Sequence, residues 1–151
     1  MVVKLKFDFK ECIRQRLLRK VPKSNRKAEK SLETAYNWLD EAKMNLSAGS
    51  FNSCLISSYL AMFHSARAIL FRDGFREKSH ACIARFLEHL YVKPGILEQK
   101  YVDLLDHRRE IRHQNQYSFN FVSTEEDCEQ ALETTKTFLS EMDKLINKTT
   151  I

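Results

Sequence analysis

Apolar residues recur at steps of three and four along most of this chain, the period of an amphipathic helix and not of a strand. The clearest stripe is Ala28, Leu32, Ala35, Trp38, Leu39, Ala42 and Leu46, and it predicts one long helix that Gly49 ends. Ser50 can cap the next helix, over about 51 to 72. That segment carries Leu55, Tyr59, Met62, Phe63, Ala66 and Leu70 on one side and small residues elsewhere, so it is expected at the centre of the molecule. Asp73-Gly74 breaks it. Ser79 is the candidate cap for a helix over about 80 to 91, and Pro94-Gly95 separates that helix from another over about 96 to 113. An S-x-x-E capping box at Ser123 and Glu126, with an acidic first turn, opens the closing helix Cys128, Ala131, Leu132, Phe138, Leu139, Met142, Leu145, Ile146. Near the start, Phe9, Ile13 and Leu17 predict a short helix over 8 to 20, stopped at Val21-Pro22.

The pattern describes an all-α bundle of about five to six helices over residues 24 to 148, with residues 1 to 23 as a basic helical extension. Three glycines and two prolines in 151 residues agree with long helices and few turns. No segment reaches the length of a membrane span, and MVVKLKFDFK lacks the apolar run of a signal peptide, so a cytoplasmic protein is expected. Cys12, Cys54, Cys82 and Cys128 form no CxxC pair; reduced, mostly buried thiols are the expectation, with no zinc cluster and no other metal or cofactor.

Charge is spread unevenly. Residues 1 to 30 hold eleven Lys and Arg against Asp8, Glu11 and Glu29, while the remaining residues are net acidic. Such an end suits an anionic partner, RNA or an acidic protein, or it is a solvated face. As a partner-binding element it would be a clamp that tracks RNA or packs onto another protein.

The second concentration of charge is His107 to His113, with three arginines and two histidines in HRREIRH. Arg108 follows Leu104 by one turn and Arg112 follows Arg108, so both continue an apolar stripe; Arg109 and His113 follow Leu105 in the same way. A histidine can take the proton from a ribose 2′-hydroxyl, and arginines can stabilise the extra phosphate charge, so the segment has the composition for metal-free RNA cleavage. It equally suits a helix end whose arginines oppose the dipole and pair with acids such as Glu77, Glu88 or Asp106. His64 and His80, on or beside apolar helix positions, read as structural.

The phrases YLAMFHSARAILFRDGFREKSH (59 to 80), LLDHRREIRHQNQY (104 to 117) and STEEDCEQALETTKTFLSEM (123 to 142) closely resemble the HEPN family, the higher-eukaryote and prokaryote nucleotide-binding domain, across most of residues 28 to 147. The resemblance implies an antiparallel up-down bundle, usually a homodimer, in which the Arg-rich helix ends of two subunits face across a groove. It also implies one of two activities. Many members are metal-independent ribonucleases, often toxins or defence effectors, with an Arg-x(4 to 6)-His motif; others bind nucleotides or accompany a small nucleotidyltransferase without catalysis.

Two registrations of that motif compete here. Arg108 with His113 fits the spacing, but Arg109 stands where the family usually has Asn, Asp or His. Arg112 followed by His113 fits the polar-residue rule, but then Tyr117 fills the histidine slot, as in a subgroup ending Arg-x-x-Ala-Asp-Tyr in which Asn115 and Gln116 here replace Ala-Asp. The resemblance thus places the site at Arg112 and His113, with Arg108 and Tyr117 in support, and RNA or a nucleotide as the ligand.

Overall fold

The computed structural model describes residues 7 to 148 as a helical bundle with one small ribbon. In chain order the elements are α1 (Phe9–Arg14), β1 (Leu18–Lys20), α2 (Asn25–Ser47), α3 (Phe51–Asp73), β2 (Phe75–Glu77), α4 (His80–Leu87) running into a π-helical stretch (Glu88–Val92), α5 (Gln99–Tyr117) and α6 (Glu125–Lys148). The all-α expectation holds. Helix α3 is the core: Tyr59, Met62, Ile69 and Leu70 are shut off from solvent, and α2, α4, α5 and α6 all pack on it. Among the described residues it is also the one helix long and apolar enough to cross a membrane, but 78% of its most apolar window is buried inside the bundle.

Small residues let the neighbours close in. Ala28, Ala35 and Ala42 recur every seven positions on the buried face of α2, and Ser57, Ser58, Ala61, Ser65 and Ala68 are buried on α3. Most of the hydroxyls are bonded: Ser57 donates to the Ser53 carbonyl, and Ser65 to that of Met62, while Ser31 reaches across to the His64 carbonyl at 2.7 Å; the buried Ser58 hydroxyl has no partner among the described residues.

The amino-terminal helix departs from expectation. It covers only Phe9–Arg14, because Arg16 takes a left-handed φ of 58° and the chain then extends as β1. Leu18 points inward and is buried, and β1 pairs antiparallel with β2, Leu18 opposite Glu77 and Lys20 opposite Phe75. A three-residue strand carries too little period to be read from sequence. Gly74 permits this pairing: it closes α3 at φ +85°, and a Cβ there would meet the Val21 carbonyl at 2.8 Å.

Other boundaries shift for local reasons. Helix α5 runs four residues past its expected end, into the segment that carries the site. The capping box of α6 sits one residue later than expected: Thr124 Oγ1 accepts from the Asp127 amide at 3.1 Å and Asp127 accepts from the Thr124 amide at 2.9 Å. Ser123 instead donates its amide to Asn52 Oδ1 at 3.1 Å.

The cysteines are buried as expected, but not reduced. Cys12 is bonded to Cys82 and Cys54 to Cys128, each pair with Cα atoms 5.9 Å apart. Partners 70 and 74 residues apart leave no trace in sequence spacing; only the fold brings them together. One bond ties α1 to α4 and the other ties α3 to α6. Both Cys12 and Leu18 belong to the main core, so deleting residues 1 to 22 tests folding before it tests any clamp. Alkylation of the denatured, unreduced protein should label no cysteine. Removing the Cys54–Cys128 bond with paired alanines should lower the unfolding free energy by about 2 to 4 kcal/mol in urea titration; full labelling before reduction would contradict the pairing.

Candidate functional site

Helix α5 is anchored by buried Tyr101, Val102 and Leu105, and its last turns project the arginines. Asn115 fixes that end by donating to the Asn52 carbonyl of α3 at 2.8 Å. Thus the residue that replaces alanine in the related motif has a structural partner.

The structure divides the cluster. Arg108 turns into the groove between α5 and α6, where it donates to Thr134 Oγ1 at 3.4 Å and faces Asp127; burial pushes its pKa down from the ordinary value. Arg109 lies 2.7 Å from Asp106, which also takes Arg85. Arg112 goes elsewhere. Its guanidinium stands 5.7 Å from the centre of the Tyr59 ring, its Nε is buried without a hydrogen-bond partner, and among the described residues no carboxylate pairs with it. His113 is exposed beside it in sequence, with its ring 4.8 Å from that of Tyr117. Tyr117, Phe119 and Val122 are 71%, 105% and 82% exposed, leaving three exposed apolar side chains at and just beyond the helix end, a short strip along the chain.

Of the four expected site residues, His113 and Tyr117 touch, Arg112 lies inward of them, and Arg108 faces a different groove. Of the acids named as partners for these arginines, Asp106 does pair within the segment, with Arg109, and also takes Arg85; Glu88 instead lies 3.7 Å from Arg85, and Glu77 takes Arg67 and Arg76.

Sequence reasoning missed what Arg112 faces. Tyr59 of α3 meets His80 Nδ1 at 3.0 Å, and the His80 ring stacks on Phe63 at 4.0 Å. Arg67 lies over the same Phe63 ring at 4.6 Å and pairs with Glu77, which is 6% exposed. His64 packs edge-on against Phe63. Burial, followed by the charges of Arg112, Arg67 and Arg109, lowers the His80 pKa to about 4; burial followed by Arg67 lowers that of His64 to about 4. Both are neutral imidazoles near pH 7. The signal was present in the phrase that contains MFH and ends in KSH, but the place of His64 in an apolar helix and of His80 beside a helix cap assigned both to structural roles.

A model of the HEPN domain matches residues 28 to 145. The chain belongs to the HEPN family. Two relatives are similar at low identity. A Pyrococcus horikoshii protein named UPF0332 protein PH1297 is 28% identical over 81 residues, covering 54% of this chain and 57% of the relative. A Methanocaldococcus jannaschii protein named Putative toxin MJ0605 is 24% identical over 117 residues, covering 78% of this chain and 87% of the relative.

The two neutral histidines of this HEPN domain give it an acid-side weakness. Each has a folded pKa near 4, below the unfolded value of about 6.5. Above about pH 6.5 neither state binds the proton and no stability is lost. Below it the unfolded chain takes up protons first, so stability falls until about pH 4. Thermal denaturation across that window should show a falling midpoint that flattens in His64→Gln and His80→Gln; an unchanged slope in both variants would contradict the assignment. Glu77→Ala should cost about 3 kcal/mol or more, because it strands the partly buried Arg67 beside an apolar ring, as read by chemical denaturation.

Proposed function

We propose that this HEPN domain is a toxin-type protein that acts on RNA as a metal-independent ribonuclease, with Arg112 and His113 at the centre of the site. The observation that carries the reading is the uncompensated Arg112 guanidinium at the free end of α5, next to an exposed imidazole. Most other arginines on this side of the bundle are held by carboxylates. A cation left without an internal partner is available to phosphate oxygens. The relative named as a toxin supports the same class.

In this scheme His113 takes the 2′-hydroxyl proton, the O2′ attacks phosphorus, and the bond from phosphorus to O5′ breaks. A 2′,3′-cyclic phosphate and a 5′-hydroxyl result, with solvent protonating the departing oxygen. Arg112 binds the phosphorane oxygens, and Tyr117 orients the His113 ring that it touches. Arg108 supports from the neighbouring groove by drawing the RNA strand across α5. A second copy of the chain covers the Tyr117, Phe119 and Val122 strip, which brings two helix ends to one groove.

One observation favours a second reading. Among the described residues, neither a carboxylate nor any other hydrogen-bond partner orients the His113 ring, and Arg108 does not converge on it. A non-catalytic module that binds a nucleotide or a nucleotidyltransferase through the same basic end would need neither. It predicts no turnover and salt-sensitive binding.

Cleavage of a mixed RNA pool by wild type, His113→Ala and Arg112→Ala separates the two. The ribonuclease reading expects cyclic phosphate ends from wild type and a loss of about 10²-fold or more in His113→Ala. Equal rates in wild type and His113→Ala would remove His113 as the base, and no cleavage by any of them would favour the binding module.

A further inference from the structure

The Tyr59 hydroxyl is buried, and burial pushes its pKa up to about 12, so it stays protonated at ordinary pH and has a proton to donate. Its ring-nitrogen partner is His80 Nδ1, at 3.0 Å. A hydroxyl that donates there makes Nδ1 the acceptor and leaves the imidazole proton on Nε2. Among the described residues nothing bonds that second nitrogen, and His80 is only half-buried. The Tyr59 ring therefore has His80 at its hydroxyl end and the Arg112 guanidinium 5.7 Å from its centre.

The surrounding charges do not cancel Arg112. From α3 come Tyr59, His64 and Arg67; from β2, Glu77; from α5, Asp106, Arg109 and Arg112; and from α4 itself, Arg85. Glu77 is engaged by Arg67 and Arg76, and Asp106 by Arg85 and Arg109, so each carboxylate already answers two guanidiniums. Arg112 answers to none, and its buried Nε lacks an acceptor. A site with surplus positive charge, an unused guanidinium donor and, in the tautomer with Nδ1 as acceptor, a neutral Nε2–H donor is suited to an oxyanion.

We propose that Arg112 and the Nε2–H of His80, set around the Tyr59 ring, form a seat for a phosphoryl oxyanion, with the Tyr59 hydroxyl holding the imidazole in its donating tautomer. This goes beyond the ribonuclease scheme, in which His113 is the working imidazole, and rests on that scheme only in taking a nucleic-acid phosphate as the natural occupant. His80 is a binding residue and Tyr59 a positioning residue. An anion in the seat opposes the field of Arg112 and Arg109, so binding raises the His80 proton affinity. By linkage, affinity then rises as pH falls.

The test uses the full, oxidised chain with imidazole nitrogens labelled for NMR. The probes are sulfate, a free oxyanion, and a fully 2′-O-methylated oligouridylate, whose phosphodiesters keep one charge throughout and which cannot be cleaved. In the free protein His80 should carry its proton on Nε2 and titrate near 4. Either probe should move that midpoint to about 6, with binding about tenfold tighter at about pH 5 than at about pH 7. A response to both probes marks a general oxyanion seat, and a response to the oligonucleotide alone marks one shaped for the strand; either result supports the proposal.

Arg112→Gln should abolish the midpoint change. His80→Gln, which keeps an N–H donor but cannot titrate, should bind at about pH 7 nearly as wild type while losing the pH dependence. A proton found on Nδ1 in the free protein, or a midpoint that neither probe moves, overturns the seat. Because the methylated strand cannot react, a protein that cleaves no RNA can still pass this test, and an active ribonuclease can fail it.

Discussion

A helix that is apolar on nearly every side cannot face water, and α3 imposes that constraint on the whole molecule. Four helices must cover it, and the small residues along α2 and α3 set how close they come. The functional consequence concerns the polar groups this helix still carries. Tyr59, His64 and Arg67 share a central rigid element with Phe63, so the rings and charges they meet on β2, α4 and α5 are held by the core itself. The exposed end of α5 borrows its position from the same helix through the Asn115 to Asn52 bond.

Arginines in this chain separate by whether an acid lies within reach. Arg67, Arg72, Arg85 and Arg109 each have one, and Arg72 is fastened further to the Leu145 carbonyl at 2.6 Å and the Tyr91 hydroxyl at 2.7 Å, joining α3 to α6 and the π-helical stretch. These are structural cations in the sense expected of a helix-rich surface. The segment HRREIRH is therefore divided: Arg109 is paired internally with Asp106, whereas Arg112 has no carboxylate partner among the described residues and lies over the Tyr59 ring.

The elements visible in the sequence were those whose signal is local and periodic. The stripe from Ala28 to Leu46, the central placement of α3 and the closing helix required only neighbours three and four residues away. What escaped was set by partners far along the chain. Leu18 becomes a strand residue because Glu77 lies opposite, and Cys12 and Cys54 become half-cystines because α4 and α6 arrive beside them. His80 was read as structural, which is true of its face on Phe63, but its Nδ1 meets the Tyr59 hydroxyl and it feels the charge of Arg112, two residues that sequence distance hides. The family resemblance brought together more of the residues that meet in the structure than composition did, since the quoted phrases hold MFH, KSH and the Arg-rich helix end in one frame.

Arg112 stands between two environments that differ in how they are held. On its inner side, Tyr59, His80 and the Arg67–Glu77 pair are fixed by burial and by contacts within one subunit. On its outer side, His113 and Tyr117 touch each other and little else, with an exposed apolar strip beyond them. Preorganised donors act without reorganising when charge arrives, whereas an unbuttressed base must first be ordered. Phosphate binding would then be a property of the single chain. Turnover would depend on whatever covers the outer strip, which is a physical reason for two members of one fold to share a basic helix end and differ in whether they cut RNA.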